Sequence, residues 1–372
     1  MCVKIAIDAR GAILHRGTGL GTYAYQLIRH LTMAGQEMRL FWPGEEYSGL
    51  DILEESEFKL IEHYREFYWQ EVFIPEALVK ENISLYHVPQ NGIGLPKAKV
   101  SKYVVTIHDL IPYVYPETTG KGYLKKFLGE MPYIIDNSDQ IITVSEWSKN
   151  DIIRFFNVPE ERITVIYEAA EPHFMPLDKS KAKAFLAKKY GITKPFLLYL
   201  GGYSPRKNVA GLINAFAKIA AEDPEIVLCL PGKRDKEQEN SEILVEALNL
   251  EDRIKFIGFV PNEDLPLLYS AAEIFIYPSF YEGFGLPPLE AMACGTAVLC
   301  SDTSCLPEIS GKDGVYFSPY NTIEMAEKIW KVLKNEDLRL KLAKQGLKHS
   351  QKFSWEKAAR ETIAVYNKVL AK

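Results

Sequence analysis

The most constraining feature of this chain is an alternation of short apolar runs and amphipathic stretches, which breaks once and then starts again. Several runs are rich in valine and isoleucine, as is typical of strands buried on both faces of a parallel sheet. Alternation of this kind predicts a parallel sheet with helices on both faces, and its repetition predicts two such sheets. The predicted strands are 3–8, 38–42, 57–62, 85–89, 102–108, 141–145 and 163–167, then 196–201, 226–230, 254–258, 274–278, 296–300 and 315–317.

Helices are predicted between these strands, where apolar residues recur at the helical period. Ser145, directly before Glu146, has the side chain of a helix N-cap. The predicted helices are 21–34, 65–80, 146–156, 208–221, 240–248, 263–271, 287–294, 322–334 and 336–350, with a last amphipathic stretch at 355–370.

The break between the two series is a less apolar stretch, 169–181, which contains Pro172 and Pro176 and predicts a linker. The chain has 372 residues, whereas one core rarely grows beyond about 250–300 residues. Because ligands bind at the carboxyl ends of parallel strands, two sheets that face each other would share one cleft. We therefore expect one domain at 1–172 and a second at 173–352, followed by a closing helix within 353–372.

Charge and cysteine content exclude several classes of protein. The net charge of −5 gives no overall attraction to nucleic acid. No apolar run reaches the roughly 18 residues of a membrane-spanning helix, and the charged N-terminus predicts a strand rather than a signal peptide. The cysteines have no CxxC spacing, which favours reduced thiols in a cytoplasmic protein over a zinc site. They are Cys2, Cys229, Cys294, Cys300 and Cys305.

A glycine-rich turn with Gly17, Gly19 and Gly21 follows the first predicted strand and precedes a helix. Glycines allow the backbone to approach a ligand closely, and a helix N-terminus favours an anion. The spacing is GxGxG rather than the GxGxxG of dinucleotide-binding folds, so a plain strand-to-helix turn is an equal alternative.

His108 and Asp109 end a strongly apolar predicted strand. At the carboxyl end of a strand, His108 would be placed to donate a hydrogen bond to a sugar or to its phosphate. The alternative is a histidine that forms only local hydrogen bonds, next to an aspartate that caps a turn.

Two cations, Arg206 and Lys207, follow Gly201 and Gly202 after the first predicted strand of the second half. Cations beside the start of a helix form a strong receptor for a diphosphate. The alternative is a pair of solvated surface charges.

The segment from Glu282 to Glu290 is the most specific signal, because it places two carboxylates between a strand and a short helix. Each carboxylate can accept two hydrogen bonds, which suits the hydroxyls of a sugar and a ribose. Backbone N–H groups at the turn of Gly285 and Leu286 would face a bound phosphate. Two ordinary surface glutamates are the alternative.

These segments together resemble glycosyltransferase family 4, whose members are retaining enzymes of the GT-B fold. The resemblance covers nearly the whole chain and is carried by 17–21, by Arg206 and Lys207, and by the E-x7-E spacing of 282–290. It implies an α/β fold of two Rossmann-like domains whose parallel sheets face each other across a cleft. By the same resemblance, 1–172 would be the N-terminal acceptor-side domain, 173–352 the nucleotide-sugar-binding domain, and 353–372 would hold a helix that returns to the N-terminal domain. The stretches 68–75 and 86–89 are most similar to mannosyltransferases of bacterial surface-polysaccharide assembly.

The resemblance also implies substrates and roles. The donor would be a nucleotide-sugar, with GDP-mannose as the first choice. The acceptor would be a glycan, a lipid-linked saccharide or another hydroxyl compound, and no metal or other cofactor would be needed. Arg206 and Lys207 would bind the diphosphate, Glu282 the donor sugar, and Glu290 the ribose. His108 would contact the transferred sugar, and the further donor contacts would be Gly19, Gly21, Gly202, Phe284, Gly285 and Leu286. His15 and Arg16, which precede the glycine turn, depart from the simplest family pattern and leave the roles of its glycines open.

Three other functions compete with this interpretation. A sugar-nucleotide epimerase of similar architecture would share the nucleotide site. An NAD-dependent oxidoreductase would place Glu45 or Glu46 on the ribose, but the glycine spacing disfavours it. A binding protein without activity is the third alternative, but it would make no catalytic use of the anion receptor formed by Arg206 and Lys207.

Two further segments have alternative interpretations. The basic and apolar stretch 121–128 would rest on an anionic membrane near a lipid-linked acceptor, or would be a solvated helix face. The aromatic residues Tyr64, Phe67, Tyr68 and Trp69 would line the acceptor side or pack as the core of a helix.

Overall fold

A computed structural model describes residues 5–15, 17–42 and 63–371 of the chain. Cys2, Arg16, Glu45, Glu46 and the predicted strand 57–62 lie outside the described residues. Within them the strands are β1 Ile5–Asp8, β2 Met38–Phe41, β3 Leu85–Val88, β4 Lys102–Ile107, β5 Gln140–Thr143, β6 Ile163–Val165, β7 Phe196–Leu198, β8 Val227–Pro231, β9 Ile254–Gly258, β10 Ile274–Tyr277, β11 Val298–Ser301 and β12 Val315–Phe317.

The α-helices of the same residues lie between and after these strands. A π-helical turn, Trp69–Phe73, joins the third helix to the fourth. The helices are α1 Arg10–Leu14, α2 Gly19–Met33, α3 His63–Tyr68, α4 Ile74–Lys80, α5 Ile111–Val114, α6 Lys121–Asn137, α7 Glu146–Phe156, α8 Lys179–Tyr190, α9 Val209–Glu222, α10 Lys236–Ala247, α11 Leu265–Ala271, α12 Leu286–Ala293, α13 Leu306–Ser310, α14 Thr322–Leu333, α15 Glu336–Ser350 and α16 Trp355–Leu370.

The chain forms two compact units, each built on a parallel sheet. Met1–Glu168 and Ser354–Lys372 make the first unit, and Ala169–Phe353 makes the second. The described strands of the first sheet have the order β2-β1-β3-β4-β5-β6, and those of the second have the order β12-β11-β10-β7-β8-β9. In each sheet the next strands along the chain are added on one side of the first strand, and all later strands are added on its other side. This reversal creates a topological switch point, between β1 and β3 in the first sheet and between β7 and β10 in the second.

The strands that flank both switch points are fully buried, as the apolar runs predicted. Every residue of β1, β3, β7 and β10 is buried. These strands cannot alternate between a polar and an apolar side because helices cover both faces of the sheet. Asp8 in β1 and His87 in β3 are the buried polar or charged exceptions among these four strands, tyrosines aside.

The last helix, α16, packs in the first unit through large buried side chains. The ring of Trp355 contacts Tyr23 and His30, with centroid distances of 5.9 and 6.4 Å. The Tyr366 hydroxyl is 2.6 Å from Nδ1 of His87, so the helix is also hydrogen-bonded to β3. The chain thus enters the second unit once and returns to the first for its final helix.

Two local predictions need correction. The linker predicted at 169–181 was wrong over its last three residues, because α8 begins at Lys179 with Asp178 as its N-cap. This helix buries only Ala182 and Leu186, so its lysine-rich sequence has little helical periodicity. The single helix predicted at 65–80 is interrupted by the π-helical turn Trp69–Phe73, so it consists of α3 and α4.

The four described cysteines are buried free thiols: Cys229, Cys294, Cys300 and Cys305. Of the aromatic group at 64–69, Trp69 is buried, whereas Phe67 and Tyr68 are exposed. Among the helices in the described part of the chain, none has the length and apolar character to cross a membrane.

Candidate functional site

The strongest site candidates lie at the switch point of the second sheet. Arg206 and Lys207 occupy a 3₁₀ turn, Pro205–Lys207, in the loop that follows β7. Glu282 lies in the loop that follows β10, the strand paired with β7. Because ligands of open α/β sheets bind where the strand order reverses, this topology brings the predicted residues to the expected place.

These three side chains form a direct ionic cluster. Oε1 of Glu282 accepts a hydrogen bond from Nζ of Lys207 at 2.7 Å and lies 3.0 Å from Nη1 of Arg206. Lys207 also donates to the Tyr277 hydroxyl at 2.7 Å, and Arg206 donates to the Tyr281 carbonyl. Two cations share one carboxylate, so the cluster keeps a net positive charge that favours an anionic ligand.

Glu282 remains ionised in this buried position. Only 7% of the residue is exposed, and burial alone would raise its pKa. The charges of Arg206 and Lys207 outweigh burial and hold the pKa of Glu282 at about 2. Burial, reinforced by the negative charge of Glu282, raises the pKa of Tyr277 well above its usual value. The Tyr277 hydroxyl therefore stays protonated beside the cluster.

Asn208 fixes the turn that carries the two cations. It adopts a left-handed backbone with φ 55° and precedes α9. Its amide Nδ2 donates to the carbonyls of Pro278 and Pro319, at 3.2 and 2.8 Å. The Phe280 N–H also donates to the Arg206 carbonyl at 2.9 Å, so the β7 and β10 loops are held together by side-chain and backbone bonds.

Gly285 makes the sharp turn that starts α12. Its φ is 100°, a conformation that L-residues with side chains rarely adopt, and an added Cβ would lie 3.0 Å from Cδ2 of Leu306. Proline residues occupy the first turn of the helix that begins at Leu286, where no backbone N–H partner is needed. Phe284 is buried with its ring against Phe353, and the backbone contact to the donor predicted for it stays a prediction.

Glu290 lies on α12 and is half-buried. Its Oε2 accepts a hydrogen bond from the hydroxyl of Tyr269 at 2.8 Å. Tyr269 is fully buried on α11, so it fixes one oxygen of Glu290 from inside the unit.

Gly201 and Gly202 differ in what they require. A Cβ on Gly202 would meet no atom within 4 Å, whereas a Cβ on Gly201 would lie 2.6 Å from the Tyr199 hydroxyl. Tyr199 uses this close approach to donate to the Gly202 carbonyl. Packing therefore demands glycine at Gly201, while Gly202 is an exposed backbone position that only a ligand would constrain.

The glycine turn of the first unit forms the start of α2. Thr18 is the N-cap, and its hydroxyl accepts a hydrogen bond from the Gly21 N–H at 3.2 Å. Gly17 has a φ of 81°, and Gly19 is exposed with open space around the position of a Cβ. A turn conformation therefore accounts for Gly17 alone, and the donor contacts predicted for Gly19 and Gly21 stay predictions.

His108 is buried in the first unit, and the protein engages both of its ring nitrogens. Nε2 lies 2.9 Å from the Pro89 carbonyl, and Nδ1 lies 3.2 Å from Oε1 of Glu168. A carbonyl can only accept, so Nε2 donates the hydrogen bond to Pro89. Asp109 accepts a bond from the Ile111 N–H at 2.9 Å, which confirms the turn-capping alternative for that residue. Contact of His108 with a sugar stays a prediction.

The sequence patterns missed several residues that shape the site. Tyr277 ends β10, and its only sequence signal is a tyrosine at the carboxyl end of a buried strand. Glu168 contacts His108, which lies 60 positions away in the chain. Tyr269 donates to Glu290, which lies 21 positions away. No spacing rule connects pairs so far apart.

Comparisons with known proteins identify the family. The model for glycosyltransferase family 4 matches residues 17–173, and the model for group 1 glycosyl transferases matches 182–349. The chain is 34% identical over 370 residues to the O-antigen chain mannosyltransferase B of Escherichia coli, covering 94% of this chain and 96% of that protein. The chain belongs to glycosyltransferase family 4. It is a glycosyltransferase, as the sequence predicted.

Solved structures show the same fold. Sucrose-phosphate synthase from Thermosynechococcus elongatus is 24% identical and superposes with a TM-score of 0.80 over 99% of both chains. Anabaena HepE, solved in complex with UDP and glucose, is 18% identical with a TM-score of 0.75, covering 98% of this chain and 100% of its own. The glycosyltransferase therefore has the predicted GT-B fold. Its family membership disfavours the epimerase and oxidoreductase alternatives.

The pKa of Glu282 predicts how stability depends on pH. Its folded pKa lies below the ordinary 4.5, so its contribution is complete above pH 4.5 and is lost as the pH falls toward 2. Lowering the pKa of Glu282 from 4.5 to about 2 on folding corresponds to about 3 kcal/mol of folding free energy. Urea unfolding of the wild type and Glu282→Gln should therefore show a difference in the free energy of unfolding at pH 6 that disappears near pH 2.

The control is Glu263→Gln, which changes an exposed carboxylate in the same unit and should follow the wild type. A difference that does not change with pH would contradict the ionic cluster.

Proposed function

We propose that this glycosyltransferase moves mannose from GDP-mannose to a hydroxyl of a glycan or lipid-linked saccharide in polysaccharide or glycoconjugate synthesis. The main support for a donor site is the cluster of Arg206, Lys207 and Glu282 at the switch point of the second sheet. The choice of mannose is supported by the names of relatives, among them an O-antigen mannosyltransferase that matches almost the whole chain.

The two cations act on the leaving group. As the bond between the anomeric carbon and the diphosphate breaks, negative charge grows on the phosphate oxygens. Nζ of Lys207 and the guanidinium of Arg206 are held within one small cluster, so both are already oriented when that charge develops. One well-aimed donor of this kind contributes about 3 kcal/mol to lowering the barrier. This charge supports the proposal that transfer needs no metal ion.

Retention of configuration is proposed to proceed by attack on the same face that the diphosphate leaves. The alternative, a double displacement, needs a carboxylate that attacks the anomeric carbon. Glu282 is the ionised carboxylate of the cluster, but two cations bind its Oε1 and hold its pKa at about 2. Such a carboxylate is a weak nucleophile. A departing phosphate oxygen would instead accept the proton of the acceptor hydroxyl, while Glu282 binds hydroxyls of the donor sugar.

Titration calorimetry with GDP, UDP, dTDP, ADP and GDP-mannose tests the donor site. The proposal predicts that the guanine nucleotides bind most tightly and that EDTA and magnesium leave their affinity unchanged. Arg206→Ala and Lys207→Ala should each weaken binding roughly 10- to 100-fold, the effect of losing one charge-assisted hydrogen bond. Lys331→Ala removes an exposed cation of α14 in the same unit and is the matched control. Binding that requires a metal, or that prefers another base, would overturn the corresponding part of the proposal.

Contact with an anionic membrane is proposed for helix α6, near a lipid-linked acceptor. Its first two turns expose Lys121, Tyr123, Lys125 and Leu128, whereas Phe127 is buried in the unit. Lys126 is engaged by Glu66 and Glu130, so the exposed cations and apolar side chains form the surface that a membrane would meet.

Vesicle flotation tests this surface at low salt. Each cation near an anionic bilayer contributes about 1 kcal/mol, so Lys121→Glu combined with Lys125→Glu should lower vesicle binding by at least about tenfold. Lys331→Glu changes a charge on the other unit and should have no effect. Equal binding of all three proteins, or none by the wild type, would reject the membrane contact.

A further inference from the structure

The loop that carries Glu282 rests on a second loop, which the family signature segments do not include. We call residues 279–285 the donor loop and residues 303–305 the support loop. The Glu282 N–H donates to Oγ of Ser304 at 3.1 Å. The Cys305 thiol lies 3.2 Å from the Glu282 carbonyl and 3.0 Å from the Phe284 carbonyl. Thr303 adds a bond from its hydroxyl to the Ser279 carbonyl at 3.3 Å.

Ser304 adopts a backbone conformation that is unusual for a serine. Its φ is 53°, in the left-handed region. The other five described non-glycine residues with a positive φ are all asparagines, which tolerate this region: Asn82, Asn91, Asn157, Asn208 and Asn249. Glycine would adopt the same φ without cost, but it would lose the hydroxyl that binds the Glu282 N–H. Strain of this kind persists where a side chain has a function that offsets it.

Cys305 is suited to donate to the two carbonyls. The residue is fully buried. Burial raises the pKa of its thiol well above the usual value, and the charges of Glu282 and Glu308 raise it further. The thiol therefore keeps its one proton, which the two carbonyl oxygens share in a three-centre hydrogen bond.

Leu306 extends this support by packing. Its Cδ2 would lie 3.0 Å from a Cβ on Gly285, so the residue after Cys305 fills the space next to the left-handed turn. The support loop, extended by Leu306, thus contacts the donor loop at Ser279, Glu282, Phe284 and Gly285. It does so without contributing a charge to the ionic cluster.

We propose that Ser304 and Cys305 are positioning residues that hold the Glu282 carboxylate and the Phe284 backbone in the geometry that receives the donor sugar. This inference rests on the proposed function, since Glu282 is assigned there to the sugar. The hydrogen bonds described for Ser304 and Cys305 run to the donor loop, at Glu282 and Phe284. Their loss should therefore affect the sugar part of the donor more than the diphosphate part.

Two pairs of variants separate positioning from general stability. Ser304→Ala and Ser304→Gly both remove the hydroxyl, but only glycine relieves the backbone strain, so the glycine variant should melt at the higher temperature. Cys305→Ala removes the donor, whereas Cys305→Ser keeps one. Cys229→Ala deletes a buried thiol from β8 of the same sheet and is the matched control.

The measurements are the melting temperature, the dissociation constants for GDP and GDP-mannose, and kcat/KM for transfer. Ser304→Ala and Ser304→Gly should lose kcat/KM equally, by about 10- to 100-fold, as expected for a misplaced binding group. Their GDP-mannose affinity should fall clearly more than their GDP affinity. Cys305→Ser should retain more activity than Cys305→Ala, and Cys229→Ala should keep full activity.

Opposite results would reject the positioning role. If activity follows the melting temperature, so that Ser304→Gly exceeds Ser304→Ala, the support loop serves stability alone. Equal loss of GDP and GDP-mannose affinity would also contradict the proposal. A wild-type chain that binds neither ligand would overturn the proposed function and, with it, this inference.

Discussion

The sharing of one carboxylate oxygen of Glu282 between Lys207 and Arg206 is the interaction on which the site depends. Buried charges are strongly unfavourable without partners, and here the partners come from loops after two neighbouring strands. The cluster therefore forms only when β7 and β10 lie side by side, as they do at the reversal of strand order. Asn208 and Gly285 then fix the two loops in conformations that few other residues would adopt. The sheet therefore determines where the cluster forms, and the net positive charge of the cluster suits the diphosphate that we propose as its ligand.

Much of this arrangement was predictable from local patterns. Buried parallel strands appear as apolar runs, so the positions of the described strands follow from hydropathy alone. Arg206, Lys207 and Glu282 follow such strands directly, and strand order then brings the loops together. Gly285 could be recognised by its place before two prolines at the start of a helix. The pairing of Glu282 with both cations, and its low pKa, required the structure.

The parts that sequence did not reveal depend on contacts between distant residues or on weak periodicity. Ser304 and Cys305 support a loop about 20 positions earlier, and nothing in a serine–cysteine pair indicates this. Glu168, the last residue before the chain enters the second unit, contacts the ring of His108, whereas the sequence suggested a histidine available to a sugar. Helix α8 was partly assigned to a linker, since most of its residues are exposed lysines and small side chains. For Ser304, Cys305 and His108 a tertiary contact decides the structure, whereas α8 lacks an apolar stripe that the sequence could show.

Proton NMR of the reaction itself tests the central claim most directly. The purified chain would be mixed with GDP-mannose and a mannose-terminated oligosaccharide in the presence of EDTA, and the anomeric region followed over time. The account predicts a new α-mannosidic signal that grows as the donor signal falls, because the donor sugar is α-linked and its configuration is retained. The absence of a product would contradict metal-free transfer from this donor. A β-mannosidic signal would show inversion and would contradict same-face attack.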